Sequence, residues 1–216
     1  QLLDLTQSQT FKYFWDYAHP DSGAARERYH PSDPNFDAHT VTMGGTGFGL
    51  MAIIVGVERG YISRAAALER LKTLLHFLEN ADRFHGAWPH WLDGRTGKVR
   101  PFSPKDNGGD LVETAFLAQG LICIQEYFKD GSEEEQALSA TAKSLWEGVE
   151  WDFYTQGQNR LLWHWSPDFA FEKNLTIKGY NETLITYVLA AASPEHRIEK
   201  EEHQEGWASK GGKKPG

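Results

Sequence analysis

The chain alternates between apolar segments with helical periodicity and long polar or aromatic loops. Apolar residues recur at helical spacing over 4–18, 64–81 and 133–150, and in the last two they form a stripe beside charged positions. Three further segments, 48–57, 109–128 and 179–192, are apolar on nearly all sides, as buried helices are. The pattern therefore predicts an all-α protein in which buried helices alternate with half-exposed ones.

Glycine precedes each of the three predicted buried helices. Gly45, Gly109 and Gly179 lie 64 and 70 residues apart, a period that suits a helical hairpin followed by a long loop. Inner and outer helices joined this way predict part of an α/α toroid, with the long loops collected where the inner helices begin. The glycines of residues 44–49 are interpreted as a tight helix start, because a phosphate loop would need a preceding strand and a Gly-Lys-Ser/Thr ending.

Two loops are rich in aromatic and histidine side chains. They span 84–105 and 160–173, and turn signals in the first, Asp93-Gly94 and Thr96-Gly97, are compatible with a small hairpin in each. Such rings either stack on the apolar faces of sugars or pack the loops onto the helices. Their position beside the acids described next favours a glycan cleft, with these candidate substrate-binding residues: Trp88, His90, Trp91, Trp163, His164 and Trp165.

Acids occur at the predicted starts of two inner helices. Asp106, Asp110 and Glu113 surround the start at Gly109, and a helix beginning there would place the last two on one face at its positive end. Glu182 precedes an apolar segment, so we expect burial to raise its pKa and keep it protonated. Hydrolysis of a glycosidic bond needs one proton donor and one carboxylate on the opposite side of the ring. Asp110 taken alone is more typical of a helix cap or first-turn acid than of a catalytic residue.

Composition and charge limit the possible partners. The 216 residues fit one domain, and 22 basic against 30 acidic residues give a net charge of −8. Without a Lys/Arg cluster, nucleic acid and anionic membranes are poor partners, and no apolar run is long enough for a membrane span. The single cysteine, Cys123, cannot form an internal disulfide. The histidines have neither metal-ligand spacing nor a cysteine partner, so neither a metal nor a cofactor is expected.

Several sequence blocks resemble one enzyme family. They run in order from residue 2 to about Pro194 and include residues 44–49, 84–91, 105–114 and 163–167. These blocks are similar to the glucoamylase-like proteins of glycoside hydrolase family 144. The resemblance implies an (α/α)6 toroid that hydrolyses β-1,2-glucan with inversion, releasing sophorose or short sophorooligosaccharides in the periplasm or outside the cell. It places the proton donor on Glu182 and water activation on Asp106, Asp110 and Glu113, and leaves open which of these three is the base.

The chain departs from that family in length. The family's domain is about twice as long, so residues 1–194 would supply the N-terminal part of a toroid and residues 195–216 a polar tail. Half a toroid exposes apolar flanks, so we expect it to self-associate or to need its C-terminal half. The alternatives are a hydrolase or transglycosylase acting on another glucan linkage, and a half-barrel that binds glycan without catalysis.

Overall fold

The computed structural model describes residues 1–179 and 181–208. Within this part of the chain, apolar helices alternate with amphipathic ones, as predicted. The α-helices are α1 (Leu2–Trp15), α2 (Met43–Glu58), α3 (Arg64–Asn80), α4 (Leu111–Phe128), α5 (Glu133–Glu147) and α6 (Leu184–Ala192). The short strands are β1 (Thr40–Thr42), β2 (Trp91–Asp93), β3 (Val99–Arg100), β4 (Gly109–Asp110) and β5 (His164–Trp165).

Helices α2 and α4 pack closely against each other, and glycine makes this approach possible. A Cβ on Gly47 would lie 2.1 Å from the backbone oxygen of Phe116, and one on Gly120 would lie 2.4 Å from the oxygen of Gly47. Interpreting residues 44–49 as a glycine-rich helix start was therefore wrong in part. Helix α2 already begins at Met43, and the glycine at position 47 serves contact between two backbones.

The outer helices α3 and α5 bury one face each. Ser63 caps α3 by accepting a hydrogen bond from the amide of Ala66, and Ser132 forms a reciprocal capping box with Glu135 at α5. The buried stripe of α3 consists of Ala67, Leu68, Leu71, Leu74, Leu75 and Leu78. These side chains join the same core as α2 and α4, so the amphipathic helix α3 packs its apolar face against the apolar helices.

The loops between helices meet at the start of α4 through short strands. Strands β1, β2 and β3 form an antiparallel sheet, in which β2 and β3 are the hairpin predicted for the first aromatic loop. Strand β5 of the second loop pairs instead with β4, with His164 opposite Asp110 and Trp165 opposite Gly109. Within the second loop, Ser166 and Ala170 form an antiparallel bridge and exchange both backbone hydrogen bonds, as in the small hairpin expected there. Strand β5 also fixes this loop to the chain just before α4.

Part of the predicted polar tail packs against the core. Ile198 and Trp207 are both 5% exposed, and the ring of Trp207 lies 6.1 Å from that of Tyr187 on α6. A π-helical turn, Glu202–Trp207, carries this tryptophan. Residues 209–216 of the tail and Tyr180 lie outside the described residues. In the described ranges, no helix combines the length and apolar character needed to cross a bilayer.

Candidate active site

Asp110 lies at the centre of the site. It is the N-cap of α4, so the helix starts two residues later than the sequence suggested, and its Oδ1 accepts hydrogen bonds from the amides of Val112 and Glu113. Its Oδ2 lies 3.1 Å from Trp163 Nε1 and 3.2 Å from His90 Nδ1. The helix-cap and active-site interpretations are thus compatible, because the cap uses only one oxygen.

Glu113 lies in the first turn of α4, and the start of α2 holds it in place. Its Oε2 accepts a hydrogen bond of 2.7 Å from the amide of Gly44 and one of 3.1 Å from the Thr42 hydroxyl. Burial raises the pKa of Glu113, the charge of Asp110 adds to the rise, and His90 and the Gly44 amide offset part of it. Sequence analysis did not predict this contact, because Thr42 precedes Glu113 by 71 residues.

His90 lies between two of the acids. Its Nδ1 contacts Asp110, and its Nε2 lies 4.0 Å from Glu113 Oε1. The ring stacks on Phe102 with 4.0 Å between centroids. Burial by itself would lower the pKa of His90, but the hydrogen bond to Asp110 and the charges of Glu113 and Asp110 raise it overall. The imidazolium form is therefore favoured between these carboxylates.

Asp106 occupies a separate, cationic environment. Its Oδ2 accepts a hydrogen bond of 2.7 Å from Lys173 Nζ and one of 3.3 Å from the Ser103 hydroxyl. His164 Nε2 lies 3.0 Å from Oδ1, close enough for an ion pair, although the angle is outside hydrogen-bond geometry. Burial acts to raise the pKa of Asp106, but His164 and Lys173 outweigh it and hold the pKa at about 2. Sequence analysis missed Lys173, which lies 67 positions away at the end of the second aromatic loop.

The predicted sugar-binding rings differ in exposure. Trp88 is fully buried, donates to the backbone oxygen of Leu78 and lies under the Arg83 guanidinium, so assigning it to substrate was wrong. His164 is 4% exposed and faces Asp106, so it too has no open face for a sugar. The partly exposed rings are His90, Trp91, Trp163 and Trp165. Some loop aromatics therefore pack the loops onto the helices, whereas these four rings remain partly exposed.

Glu182 does not have the environment predicted for it. It lies in the turn before α6, where Thr183 is the N-cap, and its side chain is exposed. Among the described residues it lacks the apolar surroundings that the sequence suggested, because the buried face of α6 begins beyond this turn, with Thr186 and Tyr187. None of the contacts found between the described residues joins Glu182 to the group formed by Asp110, His90 and Glu113.

The acids of the site are not arranged as metal ligands. Among residues 1–179 and 181–208, no group of three or more histidine, cysteine, aspartate or glutamate side chains is placed to hold a metal ion. The acids described above are instead contacted by amides, hydroxyls, histidines and a lysine. The arrangement therefore suits proton transfer and polarisation of a bound molecule by carboxylates.

Comparison with known proteins shows similarity over nearly the whole chain. No family model matches it. The exo β-1,2-glucooligosaccharide sophorohydrolase (non-reducing end) of Parabacteroides distasonis is 46% identical over 212 residues, which are 97% of this chain and 29% of that protein.

Two solved structures show the same similarity in three dimensions. The endo-β-1,2-glucanase of Chitinophaga pinensis, solved with sophorotriose and glucose, is 58% identical with a TM-score of 0.94 over 96% of this chain and 50% of its own. A β-1,2-glucanase of Parabacteroides distasonis is 45% identical with a TM-score of 0.91, over 96% and 30% of the two chains. The chain is therefore similar along almost its entire length to β-1,2-glucan hydrolases, and it spans half or less of each.

Proposed function

We propose that this chain is part of the catalytic domain of a β-1,2-glucan hydrolase of the family 144 type. The observation that carries the proposal is the 58% identity and TM-score of 0.94 with the Chitinophaga endo-β-1,2-glucanase. The three acids at the start of α4 lie inside the matched region, and two of them are linked by His90. The products would be sophorose or short sophorooligosaccharides.

The helices described here would form half of an (α/α)6 toroid. Two features support this arrangement: the alternation of inner and outer helices, and the 50% share of the Chitinophaga chain that is matched. The partly exposed rings Trp91, Trp163 and Trp165 belong to the loops that meet at the start of α4. We propose that they provide stacking surfaces for glucose units, since aromatic faces bind the apolar faces of sugar rings.

The proposed mechanism is inverting acid and base catalysis. Glu182 would protonate the oxygen between two glucose units, and the acids at the start of α4 would activate water on the opposite face. This requires Glu182 and the water-activating carboxylate to stand roughly 6.5–9.5 Å apart across the substrate.

The test is turnover on a panel of linear glucans. Purified protein carrying residues 1–216 is incubated with β-1,2-glucan, β-1,3-glucan, cellooligosaccharides and maltooligosaccharides, and the products are separated by chromatography. We expect sophorose-series products from β-1,2-glucan alone, with the new reducing end first detected by NMR as the α-anomer. Comparable release from another linkage would refute the substrate, and binding without release would indicate a glycan-binding module.

Glu182→Gln tests the proton donor. We expect kcat on β-1,2-glucan to fall by about 10²–10⁴-fold, because the amide has no proton to give to the leaving oxygen. Glu195→Gln is the matched control, since Glu195 is also an exposed glutamate close to α6, and its kcat should remain within about twofold of the parent. A Glu182→Gln enzyme with similar kcat to the parent would exclude Glu182 as the donor.

A further inference from the structure

Asp106, Asp110 and Glu113 differ in how many of their carboxylate oxygens are already in use. In the described part of the chain, a single one of these six oxygens lacks a hydrogen-bond or ion-pair partner closer than 4.0 Å. Asp110 uses both of its oxygens, one for two backbone amides and the other for Trp163 and His90. Asp106 uses one oxygen for Lys173 and Ser103 and places the other 3.0 Å from His164. Glu113 binds Thr42 and Gly44 with Oε2 only. Its Oε1 remains, 4.0 Å from His90 Nε2.

We propose that Glu113 is the base that activates the hydrolytic water, and that His90 is a positioning residue that holds this water against Glu113 Oε1. This inference rests on the proposed function and names the base among the three acids. A separation of 4.0 Å is too long for a direct hydrogen bond, but one water molecule can bridge the two atoms. Both side chains are part-exposed, 23% for His90 and 17% for Glu113, so water can reach the space between them.

The proposed step conserves atoms and charge. The water oxygen forms a bond to the anomeric carbon while the bond from that carbon to the interglucose oxygen breaks. The electron pair of the broken bond stays on the interglucose oxygen, which takes the proton of the Glu182 carboxyl group. The proton lost by the water passes to Glu113 Oε1. Each cleavage gives two shorter glucans, one of which carries the new reducing end in inverted configuration.

Asp110 orients His90 for this task. Its Oδ2 lies 3.2 Å from His90 Nδ1, which directs the other ring nitrogen towards Glu113. Stacking on Phe102 fixes the plane of the imidazole. A carboxylate that sets the orientation of a histidine in this way is a common element of acid and base sites. Asp110 would therefore act through His90.

Asp106 is a poorer base than Glu113. Lys173 and His164 hold the pKa of Asp106 at about 2, whereas burial and the charge of Asp110 raise the pKa of Glu113. A carboxylate with a higher pKa accepts a proton from water more readily, provided that it is ionised at the working pH. The Gly44 amide and the nearby His90 favour that ionised form of Glu113.

Chemical rescue by azide separates the three acids. In Glu113→Ala, azide can enter the space left by the side chain and attack the anomeric carbon, since an anionic nucleophile needs no base. We expect kcat of this variant to fall by about 10²–10⁴-fold. Azide should then raise the rate of the variant at least tenfold and give an α-glycosyl azide as the product. Asp106→Ala and Asp110→Ala should show no rescue. Rescue at either aspartate, or none at Glu113→Ala, would overturn the assignment.

The role of His90 is tested by the pH dependence of kcat/KM. The charged groups facing His90 are Asp110, Glu113 and Glu27, and all three favour its protonated form. In His90→Gln the positive charge beside Glu113 is lost, so the pKa of Glu113 should rise and the acidic limb should move upwards. A merely structural role would lower the rate without moving the limb. His76→Gln, an exposed histidine on α3, is the control and should leave the profile unchanged.

Failure of this inference can be told apart from failure of the proposed function. If neither residues 1–216 nor the complete toroid proposed above hydrolyses any of the glucans, the function is refuted, and the base assignment with it. A parent that hydrolyses β-1,2-glucan, combined with a Glu113→Ala variant that azide does not rescue, would refute the assignment alone. NMR titration of the His90 ring adds a readout that needs no turnover: its pKa should fall in Glu113→Gln, and an unchanged value would contradict the coupling between the two residues.

Discussion

Replacing Asp106 by asparagine should make the protein less stable, and by an amount that depends on pH. The side chain is only 10% exposed and contacts Lys173 at 2.7 Å, with His164 at 3.0 Å. An asparagine side chain at this position would have nearly the same shape but no charge, so the substitution removes the ionic part of these contacts. Solvent screening is weak at this exposure, and the pKa of Asp106 can be used to judge the energy involved.

The magnitude follows from the folded-state pKa of about 2, against an ordinary value of 3.8. At about 1.4 kcal/mol per pH unit, the ionised carboxylate contributes roughly 2 kcal/mol to the free energy of unfolding. Because the folded-state pKa of Asp106 is depressed, this contribution is fully present above about pH 4. It is lost as the pH falls towards 2, where the carboxylate becomes protonated in the folded state as well.

Urea denaturation followed by tryptophan fluorescence measures the effect. At pH 7 we expect Asp106→Asn to lower the free energy of unfolding by about 2 kcal/mol, and at pH 3 by distinctly less. Asp130→Asn, an exposed aspartate just beyond α4, is the matched control and should change stability by less than about 0.5 kcal/mol. An equal loss at both pH values, or no loss at pH 7, would refute the electrostatic account of Asp106.

Two further pairs of substitutions test the packing and the binding surface. Gly47→Ala should lower the free energy of unfolding by about 1–3 kcal/mol, because its Cβ would meet the backbone of Phe116 at 2.1 Å. Gly49→Ala should cause a smaller loss, because its nearest contact is a side-chain ring atom at 3.2 Å. Thermal unfolding of the two variants measures this difference. Trp88→Phe should destabilise the fold by about 1–3 kcal/mol, because the buried indole loses its hydrogen bond to Leu78. Titration calorimetry with sophorotriose should show an unchanged Kd for Trp88→Phe and a higher Kd for Trp165→Ala. Equal stability of the two alanine variants, or weaker binding by Trp88→Phe, would contradict this reasoning.

Sequence reasoning did best where structure depends on near neighbours. The apolar stripe of α3, its Ser63 cap and the alternation of apolar and amphipathic helices follow from periodicity and capping chemistry within single segments. The adjacency of Asp110 and Glu113 likewise follows from helical spacing, although the helix begins two residues later than the glycine suggested. These features depend on interactions spanning a few residues, so a single sequence carries the information.

Tertiary structure decided which of those residues face the site and what state they adopt. Trp88 and Trp91 lie three positions apart in one aromatic loop, yet only contact with distant helices determines that the first is buried and the second partly exposed. The partners of Glu113 and Asp106 come from 71 and 67 residues away. Burial and long-range contacts set the pKa values of both acids, so the sequence determined which acids are present, and the fold determined their partners and their readiness to accept a proton.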